Sequence, residues 1–96
     1  MRLFFRRSAL ADLTDVHDYI ALDDATVAKS VIHRIRSCIE RLELFPRSGR
    51  AGTLEGTHEL VVPGLPYIVV YTIGGDEIDI RAIYHGAQDR PGSFRE

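Results

Sequence analysis

Residues 25–46, ATVAKSVIHRIRSCIERLELFP, decide the architecture. Val27, Val31, Ile35, Cys38, Ile39, Leu42 and Phe45 recur at i, i+3, i+4 spacing over about five turns, the rhythm of a helix with one apolar face. The spacing predicts a helix from Ala25 to Leu44. Pro46 ends it, because proline has no N–H to donate and pushes the preceding residue out of helical geometry. Asp23 and Asp24 precede it, and either carboxylate can accept the unpaired N–H groups of the first turn.

On the N-terminal side, Leu10, Leu13, His17 and Ile20 repeat at helical spacing, and Ala9, Val16 and Tyr19 widen the stripe. This predicts a first helix over Ser8–Leu22, with Ser8 as its cap and Asp12, Asp15 and Asp18 on the far side. A connection of a residue or two makes the helices an antiparallel hairpin. Arg2–Arg6 is expected to be a short strand. On the C-terminal side, Arg47–Gly56 reads as a loop, and then the period changes from 3.6 to 2. Strands are expected at His58–Val62, Tyr67–Ile73 and Glu77–His85, separated by Pro63-Gly64-Leu65-Pro66 and by the hairpin turn Gly74-Gly75-Asp76. In the last strand, simple alternation puts Ile78, Ile80, Ala82 and Tyr84 on one face and Asp79, Arg81, Ile83 and His85 on the other. The order β-α-α-β-β-β is an α+β fold, a helical hairpin packed on one face of a mainly antiparallel sheet whose other face stays partly open. Residues 1–96 are expected to form one domain, with 92–96 a flexible tail.

Composition narrows the functional classes. Hydrophobic residues make up 45% of the 96 and charged residues 27%, the balance of a soluble globular protein. No apolar run approaches the roughly 18–20 residues of a membrane span, and the N-terminus lacks the features of a signal peptide, so a cytoplasmic protein is expected. Cys38 is the one cysteine, which excludes an internal disulfide and a cysteine-based zinc site. It sits on the apolar stripe and reads as a core residue. The four histidines show no i, i+4 pairing with carboxylates, so no metal site and no cofactor are expected. The net charge of −2 argues against broad affinity for nucleic acid. The charges are segregated, with five aspartates between residues 12 and 24, then Lys29, Arg34, Arg36, Arg41, Arg47 and Arg50. Either the outer faces of the two helices attract each other, or a partner carries both signs.

The candidate binding residues are Arg47, Arg50, His58, Arg81 and His85. Arg47 and Arg50 lie in a glycine-bearing loop, where a backbone can approach a partner closely. Arg81 and His85 either face phosphate or carboxylate on the open sheet face, or serve a salt bridge to Asp79 or Glu77 and the closing of a sheet edge. His58 is either a site residue or a solvent-facing strand residue.

Five segments carry a resemblance. Ala11-Asp12-Leu13-Thr14-Asp15-Val16-His17-Asp18-Tyr19-Ile20-Ala21, Leu42-Glu43-Leu44-Phe45-Pro46-Arg47-Ser48-Gly49-Arg50, Gly56-Thr57-His58-Glu59-Leu60, Leu65-Pro66-Tyr67-Ile68-Val69-Val70-Tyr71 and Ile80-Arg81-Ala82-Ile83-Tyr84-His85-Gly86-Ala87-Gln88-Asp89 resemble, in order, signature segments of the RelE/ParE toxin superfamily. They span roughly residues 3–91, and the wording is closer to the ParE-like branch. The resemblance implies the toxin of a type II toxin–antitoxin system, silenced by a cognate ParD- or RelB-like antitoxin that lays an amphipathic helix beside the toxin's helices. ParE-like members imply inhibition of DNA gyrase without chemistry, and plasmid stabilisation. RelE-like members imply ribosome-dependent cleavage of mRNA. A third possibility is an inactive homologue that binds only its antitoxin. One departure stands out, His58 in place of the family's arginine. For the nuclease alternative, cleavage at a 2′-hydroxyl needs a base, an acid and a cation. His85 would be base or acid, with Arg81 or Arg50 on the phosphate. Tyr84 points away from His85 by alternation unless a bulge intervenes.

Overall fold

A computed structural model describes residues 1–87. The flexible tail expected over 92–96 and the motif residues Gln88 and Asp89 lie outside the described residues. The elements are β1 (Arg2–Phe5), α1 (Arg7–Ala21), α2 (Ala25–Glu40), a single 3-10 turn (Arg41–Glu43), β2 (Arg50–Ala51), β3 (His58–Val61), β4 (Tyr67–Gly74) and β5 (Glu77–His85). The two helices pack against one five-stranded sheet of order β1-β5-β4-β3-β2, so the expected α+β layout holds. β1 pairs parallel with β5, and the other neighbours are antiparallel.

The second helix forms for the anticipated reasons. Asp24 caps it, its Oδ1 accepting from the N–H groups of Thr26 and Val27 at 3.0 and 3.1 Å. Ala28, Val31, Ile35 and Ile39 carry its buried face onto the sheet. Its last turn tightens to 3-10 geometry from Arg41, as chains commonly do where the α-helical ladder runs out. Val27 and Phe45, placed on the stripe by spacing, are 46% and 58% exposed, because the buried line passes through Ala28 and Leu42 instead. The first helix begins one residue earlier than its sequence suggests, and the side chain of its N-cap residue, Arg6, makes no capping hydrogen bond among the described residues. Ala9 and Leu13 are its buried residues, while Leu10 and Tyr19 remain exposed.

The core joins Leu13, Ile35, Ile39 and Leu42 from the helical layer to Val62, Val69, Tyr71, Ile78, Ile80 and Ile83 from the sheet side. Full burial of aliphatic side chains of this size contributes about 1.5–3 kcal/mol each, so this interface dominates stability. Two departures from the expected strands matter for the site. Arg50–Ala51, inside the expected loop, adds a fifth strand against His58 and Glu59. Between β4 and β5 the register shifts, since Tyr71 pairs with Ile80 but Val70 pairs with Ala82. Arg81 is thus an extra residue, the mark of a β-bulge.

Candidate functional site

The bulge reverses the expected faces at the end of β5. Ile78 and Ile80 are buried against the helices, as alternation requires, but so is Ile83. Past the bulge, odd positions turn to the helix side. His85 lies opposite Tyr67, and their rings meet edge to face at 5.4 Å. Its Nδ1 accepts from the Ala87 N–H at 3.0 Å, which fixes the proton of a neutral ring on Nε2. Arg81 keeps the other face, where its Nη1 reaches Asp79 Oδ2 at 3.3 Å and Thr72 Oγ1 at 3.5 Å. The expected common face for Arg81 and His85 is therefore corrected: they stand on opposite sides of β5, and Tyr84 shares the side of Arg81.

Arg6 extends the open-face cluster, its Nε donating to the same Asp79 oxygen at 2.9 Å. Two guanidiniums thus share one carboxylate and leave a net positive spot. The second oxygen of Asp79 is buried and, among the described residues, without a hydrogen-bond partner.

Arg50 also lies on the open face. Its Nε and Nη2 both donate to Glu59 Oε1, at 3.2 and 3.0 Å. Glu59 is only 5% exposed, and a carboxylate so buried requires a paired cation. Arg50, Glu59, Val70 and Ala82 form one row across β2, β3, β4 and β5. Three strand spacings, roughly 14 Å at about 4.8 Å each, separate Arg50 from Ala82 beside Arg81.

His58 faces the helix side, stacked on the Tyr71 ring with centroids 5.2 Å apart. Tyr71 is wholly buried and holds the loop carrying Arg47. Its hydroxyl donates to Pro46 O at 2.8 Å and accepts from the Gly49 N–H at 3.0 Å. Gly49 is required there, since a Cβ would sit 2.6 Å from that hydroxyl. Burial pushes the Tyr71 phenol above its ordinary value, with the Gly49 N–H and the Arg47 charge opposing. Arg47 itself is exposed.

A groove of about 1110 Å³ runs round the free end of β5. Arg6, Ser8, Arg81 and Tyr84 border it on one side, Tyr67 and His85 lie at its end, and Asp12, Asp15, Val16 and Tyr19 line it from α1. Arg81 and His85 thus meet at one groove from opposite faces, while Arg47, Arg50 and His58 lie elsewhere. Asp12 was expected on the solvent face of α1. It is half-buried instead, its Oδ2 accepting from the Ile83 N–H at 2.9 Å. Burial raises its carboxyl above the usual value, with the Ile83 N–H opposing and Asp15 adding. Ser8 does not cap α1. Its hydroxyl donates to Arg81 O at 2.7 Å. No ion pair among the described residues joins the aspartates at 12–24 to Lys29, Arg34, Arg36 or Arg41. Arg34 instead holds Pro63 O at 2.9 Å and Arg36 lies over the Phe5 ring. Among the described residues no group of three His, Cys, Asp or Glu is placed to hold a metal, and no helix is long and apolar enough to cross a membrane.

Comparison with known proteins adds to this geometry. Residues 3–90 match the family model described as the ParE toxin of the type II toxin–antitoxin system parDE. A Sinorhizobium fredii protein bearing the name toxin Y4kP is 36% identical over 90 residues, 94% of this chain and 93% of its own. Toxin RelE2 of Caulobacter vibrioides is 32% identical over 80 residues, 83% of this chain and 89% of its own. A solved chain of a chromosomal ParDE system from P. aeruginosa superposes with a TM-score of 0.81 at 26% identity, over 88% of this chain and 95% of that one. A YoeB dimer from Staphylococcus aureus shares the fold, with a TM-score of 0.58 at 17% identity over 88% and 97% of the two chains.

Proposed function

The chain belongs to the ParE toxin family of type II toxin–antitoxin systems, and on that premise we propose that it arrests growth by binding DNA gyrase, without chemistry of its own, until a cognate antitoxin of ParD or RelB type silences it. The observation that carries this reading is the arrangement of the residues a nuclease would need: Arg81 and His85 reach one groove only from opposite faces of β5, and Arg50 lies outside it. His85 lies across β5 from Arg81, Arg50 is held by buried Glu59, and Arg81 is held by Asp79. Acid–base cleavage of RNA needs a proton-transfer group within hydrogen-bond reach of the same phosphodiester that the cation grips. An arginine at a recognition surface needs only an exposed guanidinium edge, and Arg81, with its side chain 38% exposed, offers one. Arg81, with Tyr84 on its face, is the favoured target contact, and Arg47 is a second.

The ribosome-dependent nuclease is the second reading, favoured by the 32% identity to a protein named toxin RelE2. An inactive homologue is the third. The chain is to be induced alone in a bacterial host carrying a DNA-damage reporter, beside Arg81→Ala. Growth arrest with a strong damage response, weakened by Arg81→Ala, is the result expected. Growth arrest with a silent reporter and cleaved mRNA would overturn the gyrase reading, and unimpeded growth would leave the inactive homologue.

A further inference from the structure

β1 accompanies β5 only as far as Phe5 opposite Ile80. The last bond of that ladder runs from the Arg6 N–H to Ile80 O at 3.0 Å. From there the chain turns into α1, and among the described residues β5 continues without a neighbouring strand on that side. A strand in this position presents carbonyl and N–H groups that must find partners. Here α1 supplies them. Ser8 Oγ donates to Arg81 O, and Asp12 Oδ2 accepts from the Ile83 N–H. The two residues are four apart, so they stand one above the other on a single helix face. One contributes a donor and the other an acceptor, in the order that β5 requires. Their grip falls on the residues either side of Ala82, at the bulge.

A bulge is a choice of register, and a slip of one residue turns every later side chain to the other face. With the bulge, Ile83 and His85 face the helix side and Tyr84 joins Arg81 on the open face. Without it, Ile83 would leave the core and His85 would take the place of Tyr84. We propose that Ser8 and Asp12 are positioning residues that lock this register, so that Tyr84 rather than His85 stands beside Arg81. The functional side of this proposal rests on Arg81 as a target contact. The register lock itself does not.

The test uses the full chain, released from its antitoxin and labelled for NMR, as Asp12→Ala, Asp12→Asn and Ser8→Ala. Loss of the carboxylate leaves the Ile83 amide unpaired, and its hydrogen exchange should accelerate on the order of tenfold relative to core amides. The edge-to-face contact between Tyr67 and His85 should weaken with it. Asp12→Asn restores both, because its amide oxygen still accepts. In growth assays, Asp12→Ala should reduce arrest, Asp12→Asn should not, and Asp12→Ala should add nothing in an Arg81→Ala background. Unchanged Ile83 exchange with an intact Tyr67–His85 contact in Asp12→Ala would overturn the lock, whatever the target. Failure of Arg81→Ala to alter arrest would sink the target-contact reading alone, and the NMR result would still decide the lock. If Asp12→Ala does not fold, Ser8→Ala, which leaves only the Arg81 carbonyl without its donor, decides through the Tyr67–His85 contact: a weakened contact supports the lock and an unchanged one overturns it.

Discussion

Removing one oxygen atom from the core tests how the loop that presents Arg47 is held. Tyr71→Phe keeps the buried ring and its stack with His58, and deletes only the hydroxyl that bridges Pro46 O and the Gly49 N–H. Each such bond contributes a net of about 0.5–1.5 kcal/mol, and a buried group left unsatisfied costs about 1–3 kcal/mol. Gly49 and Pro46 are only half-buried, so water recovers part of that cost and the expected loss is about 2 kcal/mol. For a chain of this length the melting temperature should fall by about 8–16 °C, at roughly 4–8 °C per kcal/mol. The urea midpoint should drop with an unchanged slope, since no additional surface is exposed. The assay is paired thermal and urea unfolding of the two proteins, with NMR of residues 46–50. A Tyr71→Phe protein within about 0.5 kcal/mol of the parent, a change typical of surface positions, with the loop signals unmoved, would refute the claim that this hydroxyl ties the loop down.

Three further outcomes follow from the same structure. Asp12 has a folded-state carboxyl pKa raised mainly by burial above the ordinary 3.8, so its contribution to stability is fully present below that value and is lost as pH rises through the folded value. Asp12→Asn removes this loss and keeps the acceptor, so its stability relative to the parent should improve between pH 4 and pH 7 in urea titrations; a constant difference would contradict the burial argument. Arg50→Ala should cost about 2 kcal/mol by stranding a charge on buried Glu59, and adding Glu59→Gln should recover part of it, as a double-mutant cycle would measure. Gly64→Ala should cost about 1–2 kcal/mol, because φ there is +76° and a Cβ would stand 2.8 Å from the Arg34 guanidinium that supports the turn; calorimetry showing no loss would mean that the turn re-forms in another geometry.

The helices were legible because their signals are local. The stripe through Val31, Ile35 and Ile39, the Asp24 cap and the stop at Pro46 all act within a turn or two. The strands from His58, Tyr67 and Glu77 were legible from their change of period. The bulge at Arg81 was not, because alternation counts residues along one strand, whereas a bulge arises between strands and is gripped from a helix some 70 residues away in sequence, as the Asp12–Ile83 bond shows with a separation of 71. For that reason Asp12 was placed with the solvent-facing aspartates, and Ser8, a good cap by type, was assigned to the helix end rather than to β5. The two-residue strand at Arg50 carries no periodic signal at all. Of the candidate residues, the sequence placed Arg81 and His85 near one another correctly and on a common face wrongly. Nothing in it distinguished Arg50 as the partner of buried Glu59.

The sheet seats its first strand beside its last, with Arg2 pairing to Glu77 across 75 positions. On a translating ribosome, β1 and α1 emerge early and must wait for β5 before the strand that backs them exists. The face bearing Arg81 is therefore assembled only once β5 has emerged. A chain cut short before Glu77 lacks both that face and the strand that Ser8 and Asp12 hold. If Arg81 is the target contact, chains truncated in this way should be harmless, and the interval between the first helix and β5 is time in which an antitoxin already present in the cell can arrive first.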